Sequence, residues 1–407
     1  MCGPVPRLPE NLDVLRDTAF RRLLGAAAIS WFGDRMVPVA LAFAVLAIDG
    51  SASSIGLVLA VRSGALLVSL LVGGVVADRV SRRAIMVVAD LARLTTQGLL
   101  AGLLIAGEAE VWSVALLSGL SGIATGFFNP ASTGLLPAIV PAERLQQANG
   151  VRATVMSAGE IGGPVLAGVL VAAVGAGWAL AVDAATFGLS ALLLAGLRVP
   201  RRAERAASSF WKDLHEGWAT FHQTTWVWTF VLWASLANVT WGAWSVLGPL
   251  VADRDLGGPA VWGAINAALG AGALLGALAA IRQMPRRPVL AAALTGFAQV
   301  PALVLLASGA HALPVALGAA AFGLGMMFGN SVWESALQRH VRPDTLSRVS
   351  AYDWFGSLAL APVGLAIWGP IAEGIGVSEA LWLSAAVTIA STLALLAVRD
   401  IRRLQTA

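Results

Sequence analysis

The sequence predicts an all-α integral membrane protein, with twelve transmembrane helices in two pseudo-symmetric six-helix bundles. Three observations predict it. Of 407 residues, 57% are hydrophobic, only 12% are charged and 44 are glycine, and the mean hydropathy is +0.77. Glycine at this level suits membrane helices, whose backbones approach closely at small residues. Twelve apolar runs are each long enough to cross the ~30 Å hydrocarbon core, which takes roughly 20 residues. The chain also repeats itself. VPAERLQQANG at 140–150 aligns with VRPDTLSRVSA at 341–351 at an offset of 201, and the same offset pairs Asn129 with Asn330 and Gly163 with Gly364.

The runs of the first half fall at 23–48, 52–77, 84–107, 111–136, 148–174 and 177–198. They are too long and continuous for the alternating ~10-residue strands of a membrane β-barrel. Helix 1 follows an arginine-bearing segment, residues 1–22, and is too long for the apolar core of a cleavable signal. Helices 1 and 2 carry Asp34 and Arg62, and helix 3 carries Asp90 and Arg93. Helix 4 has no charge over 111–128, and helix 5 contains GEIGGPVLAG at 159–168. Helix 6 completes the first bundle, 23–198. Residues 199–225 form the longest polar connection, where Phe210, Leu214, Trp218 and Phe221 recur at helical spacing opposite Lys212, Asp213 and Glu216. That pattern predicts a helix lying in the cytoplasmic interface. The second bundle, 226–398, has its runs at 226–251, 259–281, 288–309, 312–335, 349–374 and 378–398, and 399–407 is left as a cytoplasmic tail.

Arginine orients the bundles. Of the 27 basic residues all but Lys212 are arginine, and they gather at the N-terminus and in every second loop, as at Arg79, Arg82 and Arg83 or Arg282, Arg286 and Arg287. The alternate loops hold only Arg254 beside acids such as Asp49, Glu108 and Glu373. Both termini are therefore placed in the cytoplasm, with the chain multi-pass in the cytoplasmic membrane. The pI near 10.4 is accordingly a topology signal, and nucleic acid is not an expected partner. Cys2 is the only cysteine, and His215, His222, His311 and His340 are scattered. No metal-ligand spacing, cofactor motif or catalytic constellation results, so no metal, cofactor or enzymatic activity is expected.

One stretch gathers charge against this apolar background. GGVVADRVSRRAIM, residues 73–86, resembles the loop signature of the major facilitator superfamily, G-x-x-x-D-R-x-G-R-R/K, through Gly74, Asp78, Arg79, Arg82 and Arg83. Ser81 replaces the second glycine, and a degraded copy at 282–287 has Ile281 at the aspartate position. GEIGGPVLAG resembles the antiporter pattern of that superfamily, G-x-x-x-G-P-x-x-G-G, through Gly159, Gly163 and Pro164, with Ala167 at one glycine. SWFGDRM (30–36), VVADLAR (87–93), FFNPASTGLLPAIVP (127–141) and VDAATF (182–187) are similar to the drug:proton antiporter branch that contains macrolide-efflux and siderophore (enterobactin) exporters. The resemblance implies the major facilitator fold, export, and a gating role for both glycine-bearing motifs. Asp78 and its arginines then latch the two halves on the cytoplasmic side. The arginine that many drug antiporters carry in helix 4 is missing. Physically, Asp78 at a helix end can meet a helix N-terminus from the other half. Its arginines supply topology charge, to which acids add little. Gly159 and Gly163 share one face and permit close packing, while Pro164 introduces a kink.

Ionisable residues within the bilayer are costly and therefore functional candidates. Asp34 lies about 11 residues into helix 1 and Arg62 about ten residues from the outer surface of helix 2, each roughly 15 Å deep at ~1.5 Å per residue. Their depths suit an ion pair across helices. Glu160 on helix 5 is also near the midplane. Burial penalises the charged form of an acid and a nearby arginine favours it, so Asp34 and Glu160, with Arg62, are the proton-coupling candidates. A fixed ion pair for Asp34 and a satisfied packing role for Glu160 are the alternatives. Asp90 and Arg93, three residues apart, are expected to pair with each other. Glu334 and Asp353 fall near cytoplasmic helix ends. Trp226 and Trp228 read as interfacial. Trp233, Asn238, Trp241, Asn266, Asn330 and Trp333 are the candidate lining of an aromatic, mildly polar cavity, and lipid-facing or core tryptophans are the alternative.

The sequence therefore predicts a secondary active transporter, a monomer whose partners are a small amphipathic compound, protons and the lipid bilayer. Export by proton antiport is the first reading. A proton symporter or facilitator for a metabolite is the second, and a non-transporting sensor of the same fold the third.

Overall fold

Within hydrocarbon every backbone N–H and C=O must be satisfied internally, which long apolar runs achieve as helices. The computed structural model describes residues 14–197, 218, 221–283 and 285–405. It contains twelve spans: α1 (Thr18–Ile48), α2 (Ala52–Arg79), α3 (Arg82–Ala106), α4 (Val111–Ile139), α5 (Leu145–Val174), α6 (Ala176–Ala195), α7 (Thr225–Leu256), α8 (Pro259–Arg282), α9 (Pro288–Ala307), α10 (Ala312–His340), α11 (Val349–Ile375) and α12 (Val377–Ala397). No strand occurs among the described residues. The repeat is structural as well as textual. Val111 and Ala312 open α4 and α10, and Ala176 and Val377 open α6 and α12, both at the offset of 201. Most of the interfacial helix expected over 199–225 lies outside the described residues. Trp218 and Phe221 lie within them and pack on Tyr352, at ring separations of 5.5 and 5.6 Å.

Local signals set the boundaries. Asp17 caps α1 by accepting from the backbone of Ala19 at 2.7 Å and Phe20 at 3.0 Å, and Ser51 and Ser81 cap α2 and α3. Gly107, at φ 74°, ends α3 in the left-handed conformation that glycine adopts freely. Two spans of the second bundle are broken. α9 tightens over Thr295–Ala298, and α11 breaks between Leu358 and Ala361, just before Pro362. Asn238 of α7 donates to the Ser357 carbonyl at 3.0 Å, satisfying backbone at that break.

The core is distributed unevenly between the two ends. Far from the termini it is continuous across both bundles: Leu41 of α1 and Ile55 of α2 share it with Trp244 of α7, Trp262 of α8 and Trp368 of α11. Toward the termini it divides. Phe20, Met86, Phe128 and Leu194 form a core confined to the first bundle, and Phe230, Val289, Trp333 and Ile401 one confined to the second. Among the described residues, therefore, the core that the bundles share lies at their far ends, and toward the termini each bundle has a core of its own. Glycines allow the far-end contact. A methyl on Gly56 of α2 would fall 2.5 Å from the Leu365 carbonyl oxygen of α11, and one on Gly263 of α8 would fall 2.5 Å from the Pro164 carbonyl oxygen of α5. A polar tie accompanies them: Glu373 of α11 accepts from the Ser51 hydroxyl at 2.8 Å and the Ser53 amide at 3.2 Å, at the start of α2.

Candidate functional site

The first bundle holds a cluster of charge near mid-depth. Asp34 of α1 pairs with Arg62 of α2 at 3.4 Å and with Arg93 of α3 at 3.1 Å. Arg93 also pairs with Asp90, one helical turn before it, and Ser190 of α6 donates to Asp90 at 2.6 Å. Arg62 in turn donates to Ser121 of α4 at 3.3 Å. The guanidinium of Arg93 is completely buried, stacked between Phe128 at 4.2 Å and Phe187 at 4.1 Å. Two flat aromatic faces and two carboxylates use the planar, delocalised charge of arginine in a way that lysine cannot match. Asp183 of α6 completes the cluster, accepting from Gln97 of α3 at 3.0 Å. Asp34 and Arg62 retain 16% and 13% of their side-chain exposure, whereas Asp90, Arg93, Gln97 and Asp183 have none. The cluster therefore has a wet edge and a dry interior.

From sequence, Asp90 and Arg93 are expected to pair with each other, and they do. Arg93 in addition bridges to Asp34, because its reach to α1 cannot be read from spacing along α3. Asp183 and Gln97 are absent from the sequence-derived candidates. Asp183 nonetheless carries the signal that singled out Asp34, a carboxylate midway along an apolar run. Glu160 stands apart from the cluster, ion-paired with Arg35 of α1 at 3.0 Å, and both side chains are more than a third exposed. Arg35 lies over the Trp31 ring at 4.1 Å.

The glycine motif of α5 serves two neighbours. Methyls on Gly159 and Gly163 would strike Trp31 and Arg35 of α1, so this pair faces its own bundle rather than the interface between halves. Pro164, which cannot donate to the Glu160 carbonyl one turn back, and Gly168 face Gly263 of α8 across the interface, and one turn earlier Glu160 and Ile161 face Gly270. The repeat preserves the first contact: Gly364 of α11 abuts Val239 of α7 as Gly163 abuts α1. In the hairpin after α2, Arg82 binds the Gly134 carbonyl of α4, and Arg83 donates to the Ala195 carbonyl of α6 at 2.8 Å. These arginines therefore do more than set topology; they bind backbone carbonyls in the last turns of helices in their own bundle. Arg79 is exposed and Gly74 has open space around it, while the side chain of Asp78 lies outside the described residues.

The second bundle holds a cavity of about 300 Å³ between α7, α9, α10 and α11. Five of the six expected lining residues bound it: Trp233, Asn238, Trp241, Asn330 and Trp333. Asn266 does not; it lies on α8, outside the cavity, donating to the Trp262 carbonyl at 2.9 Å. Sequence spacing gave no azimuth for α8, which is why Asn266 was misplaced. Trp333 is held rigidly, stacked on Phe230 at 3.7 Å with its N–H directed to Asp353 at 3.1 Å. Trp226, expected at the interface, is buried edge-on against Trp333 at 5.4 Å. Trp233 donates to Thr392 at 3.2 Å, and Trp241 lies 4.9 Å from Phe322. Asn238 commits its amide donor to backbone, whereas Asn330 and Glu334 are exposed on the wall. Among the described residues no group of three His, Cys, Asp or Glu side chains could hold a metal ion.

A twelve-span, two-bundle molecule with a waist of glycines and buried charge on one side has known counterparts. The family profile described as Major Facilitator Superfamily matches residues 23–357. The chain belongs to that superfamily. Macrolide efflux protein A of Streptococcus pyogenes is 26% identical over 341 residues, covering 81% of this chain and 84% of that one. The enterobactin exporter EntS of Shigella dysenteriae serotype 1 is 29% identical over 274 residues, covering 66% and 64%. The crystal structure of the nucleoside transporter NupG superposes with a TM-score of 0.76 at 14% identity, covering 95% of this chain and all of that one. At that identity the likeness concerns the fold. The chain is thus a multi-pass membrane transporter of the Major Facilitator Superfamily rather than an enzyme, with relatives named for efflux.

Proposed function

We propose that this superfamily member exports a small amphipathic compound by alternating access, driven by inward movement of protons. One observation carries the reading: a single chain holds a rigid aromatic cavity in its second bundle and an acid–arginine cluster with an exposed edge in its first. Trp233, Trp241, Trp333 and Asn330 bind the apolar body and a polar edge of the cargo, and Asn238 acts indirectly, by holding α11. Asp34 at the wet edge of its cluster and Glu160 opposite Arg35 exchange protons. Neutralising Glu160 loosens its hold on Arg35 and so the α1–α5 contact, while Arg62 competes with that proton at Asp34. The efflux names of its relatives support the outward direction and a macrolide-like or siderophore-like cargo.

With the arginine-rich side in the cytoplasm of a bacterial inner membrane, the core shared only at the far ends supports an inward-open reading. The 73–86 hairpin then latches the opposite state, in which Gly74, Asp78, Arg79, Arg82 and Arg83 approach the second bundle. Gly159 and Gly163 let α5 pack closely on α1, and Pro164 kinks the helix that slides on α8. One chain encloses the whole passage, so a monomer suffices.

The test is transport of erythromycin and a panel of amphipathic compounds into energised inside-out vesicles. Accumulation abolished by an uncoupler, in the parent chain and not in vesicles lacking it, is the expected result. Uptake into right-side-out vesicles with no accumulation in inside-out ones would overturn export in favour of symport.

A further inference from the structure

We propose that Asp183 of α6, together with Asp34, forms the proton site of this transporter, and that Asp183 is the acid on which the proton resides when the passage is open to the termini side. The inference deepens the proton-coupled reading above and rests on it for what the proton accomplishes, while the location of the proton can be tested without transport.

The inference starts from charge parity. The buried cluster contains three carboxylates, Asp34, Asp90 and Asp183, and two guanidiniums, Arg62 and Arg93. An isolated ionised carboxylate is far too costly to bury, and such a group takes up a proton instead. The cluster is therefore electrically matched only when one of its acids is neutral. Contacts decide which one. Asp34 touches both arginines. Asp90 is held by Arg93 and by the Ser190 hydroxyl. Asp183 touches neither arginine within ion-pair distance among the described residues, and its only side-chain hydrogen bond is from the Gln97 amide to Oδ2.

The other oxygen of Asp183 has a distinctive setting. Oδ1 is buried and meets no hydrogen-bond donor among the described residues. It rests on α1 at Gly33, so closely that a methyl at that position would overlap it and the neighbouring Thr186. A buried carboxylate oxygen without a donor keeps an unsolvated charge, whereas protonation removes that charge and leaves only the smaller need of one O–H. Gly33 directly precedes Asp34, so the empty side of Asp183 faces the helix that carries the water-accessible acid. The charged and titratable groups around it are Asp34 on α1, Arg62 on α2, and Asp90 and Arg93 on α3. Glu160 of α5 is engaged by Arg35 instead.

Protonation follows a simple balance. A proton entering while the passage is open on the far side binds Asp34, passes to Asp183 Oδ1 as the O–H bond to Asp34 breaks, and leaves Asp34 ionised between Arg62 and Arg93. Release reverses the order through the exposed edge of Asp34 once the passage has opened on the termini side. The close fit at Gly33 gives α1 a direct sense of whether Asp183 carries the proton.

The test is infrared difference spectroscopy of the purified full-length chain in lipid, comparing alkaline with mildly acidic buffer and H₂O with D₂O. The parent chain is expected to show a carbonyl band of a protonated carboxylic acid that shifts in D₂O. Asp183→Asn should abolish it and Glu160→Gln should retain it. Gln97→Leu, which removes the one donor to Oδ2, should move the band without erasing it; a purely structural Asp183 would leave that frequency unchanged. Absence of the band in the parent chain, its persistence in Asp183→Asn, or an unmoved band in Gln97→Leu would each overturn the assignment. Transport that proves insensitive to uncouplers while the band behaves as described would instead overturn the proton-coupled reading.

Discussion

The polar tie between the bundles at the far end invites a quantitative test. Glu373 is the only described group on α11 that bonds to the start of α2, accepting from the Ser51 hydroxyl and the Ser53 amide at 2.8 and 3.2 Å. A hydrogen bond to a charged acceptor contributes about 1.5–3 kcal/mol when buried. This carboxylate is exposed, so solvent screening reduces the tie to about 1 kcal/mol. The tie exists only while the far ends are together. Glu373→Ala should therefore raise the ratio of far-side-open to termini-side-open molecules about fivefold, since ~1.4 kcal/mol corresponds to tenfold. Glu373→Gln, whose side-chain carbonyl still accepts, should give about half the free-energy effect. The assay is electron–electron double resonance in lipid nanodiscs, with nitroxides at Glu108→Cys and Ser308→Cys in a Cys2→Ser background; both positions are exposed on far-side loops of opposite bundles. A distance distribution for Glu373→Ala that superimposes on that of the parent would refute the reasoning, because the tie would then be no part of the balance between states.

Three further outcomes are expected. Gly263→Ala places a methyl 2.5 Å from the Pro164 carbonyl oxygen and 3.1 Å from Gly168 Cα. It should destabilise the far-end contact by about 1–3 kcal/mol and shift the same spin-label distribution outward. Arg93→Leu leaves buried Asp90 and half-served Asp34 without their cation. It should cost about 3–5 kcal/mol, read as a lowered melting temperature in detergent, with Arg93→Lys failing to restore it and the Arg93→Leu, Asp90→Asn double variant recovering part. Trp333→Ala removes a cavity wall stacked on Phe230 and should weaken erythromycin binding about tenfold, measured by tryptophan quenching or scintillation proximity. Asp353→Asn, which preserves that wall, should weaken it far less.

The architecture was almost fully legible because it depends on quantities that sum along the chain. Runs such as 111–136 and 312–335 declare their lengths, and the offset of 201 reappears in the starts of α4 and α10. Depth is likewise additive, which is why Asp34 and Arg62 could be placed at matching levels before their 3.4 Å pairing was seen. Azimuth is not additive. It depends on how each helix rotates against its neighbours, so Asn266 was assigned to a cavity it does not reach. The bridging of Arg93 to Asp34 is invisible in the sequence for the same reason, and so is the identity of the helix that Gly159 and Gly163 pack against, α1. Asp183 escapes for a different reason: VDAATF registers first as a family resemblance, although a carboxylate in an apolar run is a functional candidate on its own.

The divided core has a consequence for how the molecule can open. Tryptophans at positions 244, 262 and 368 form a shared plug between the bundles, whereas nothing comparable joins them at the other mouth among the described residues. The far end is thus the closed end of this structure, and any opening there must part the apolar surfaces that these tryptophans bury.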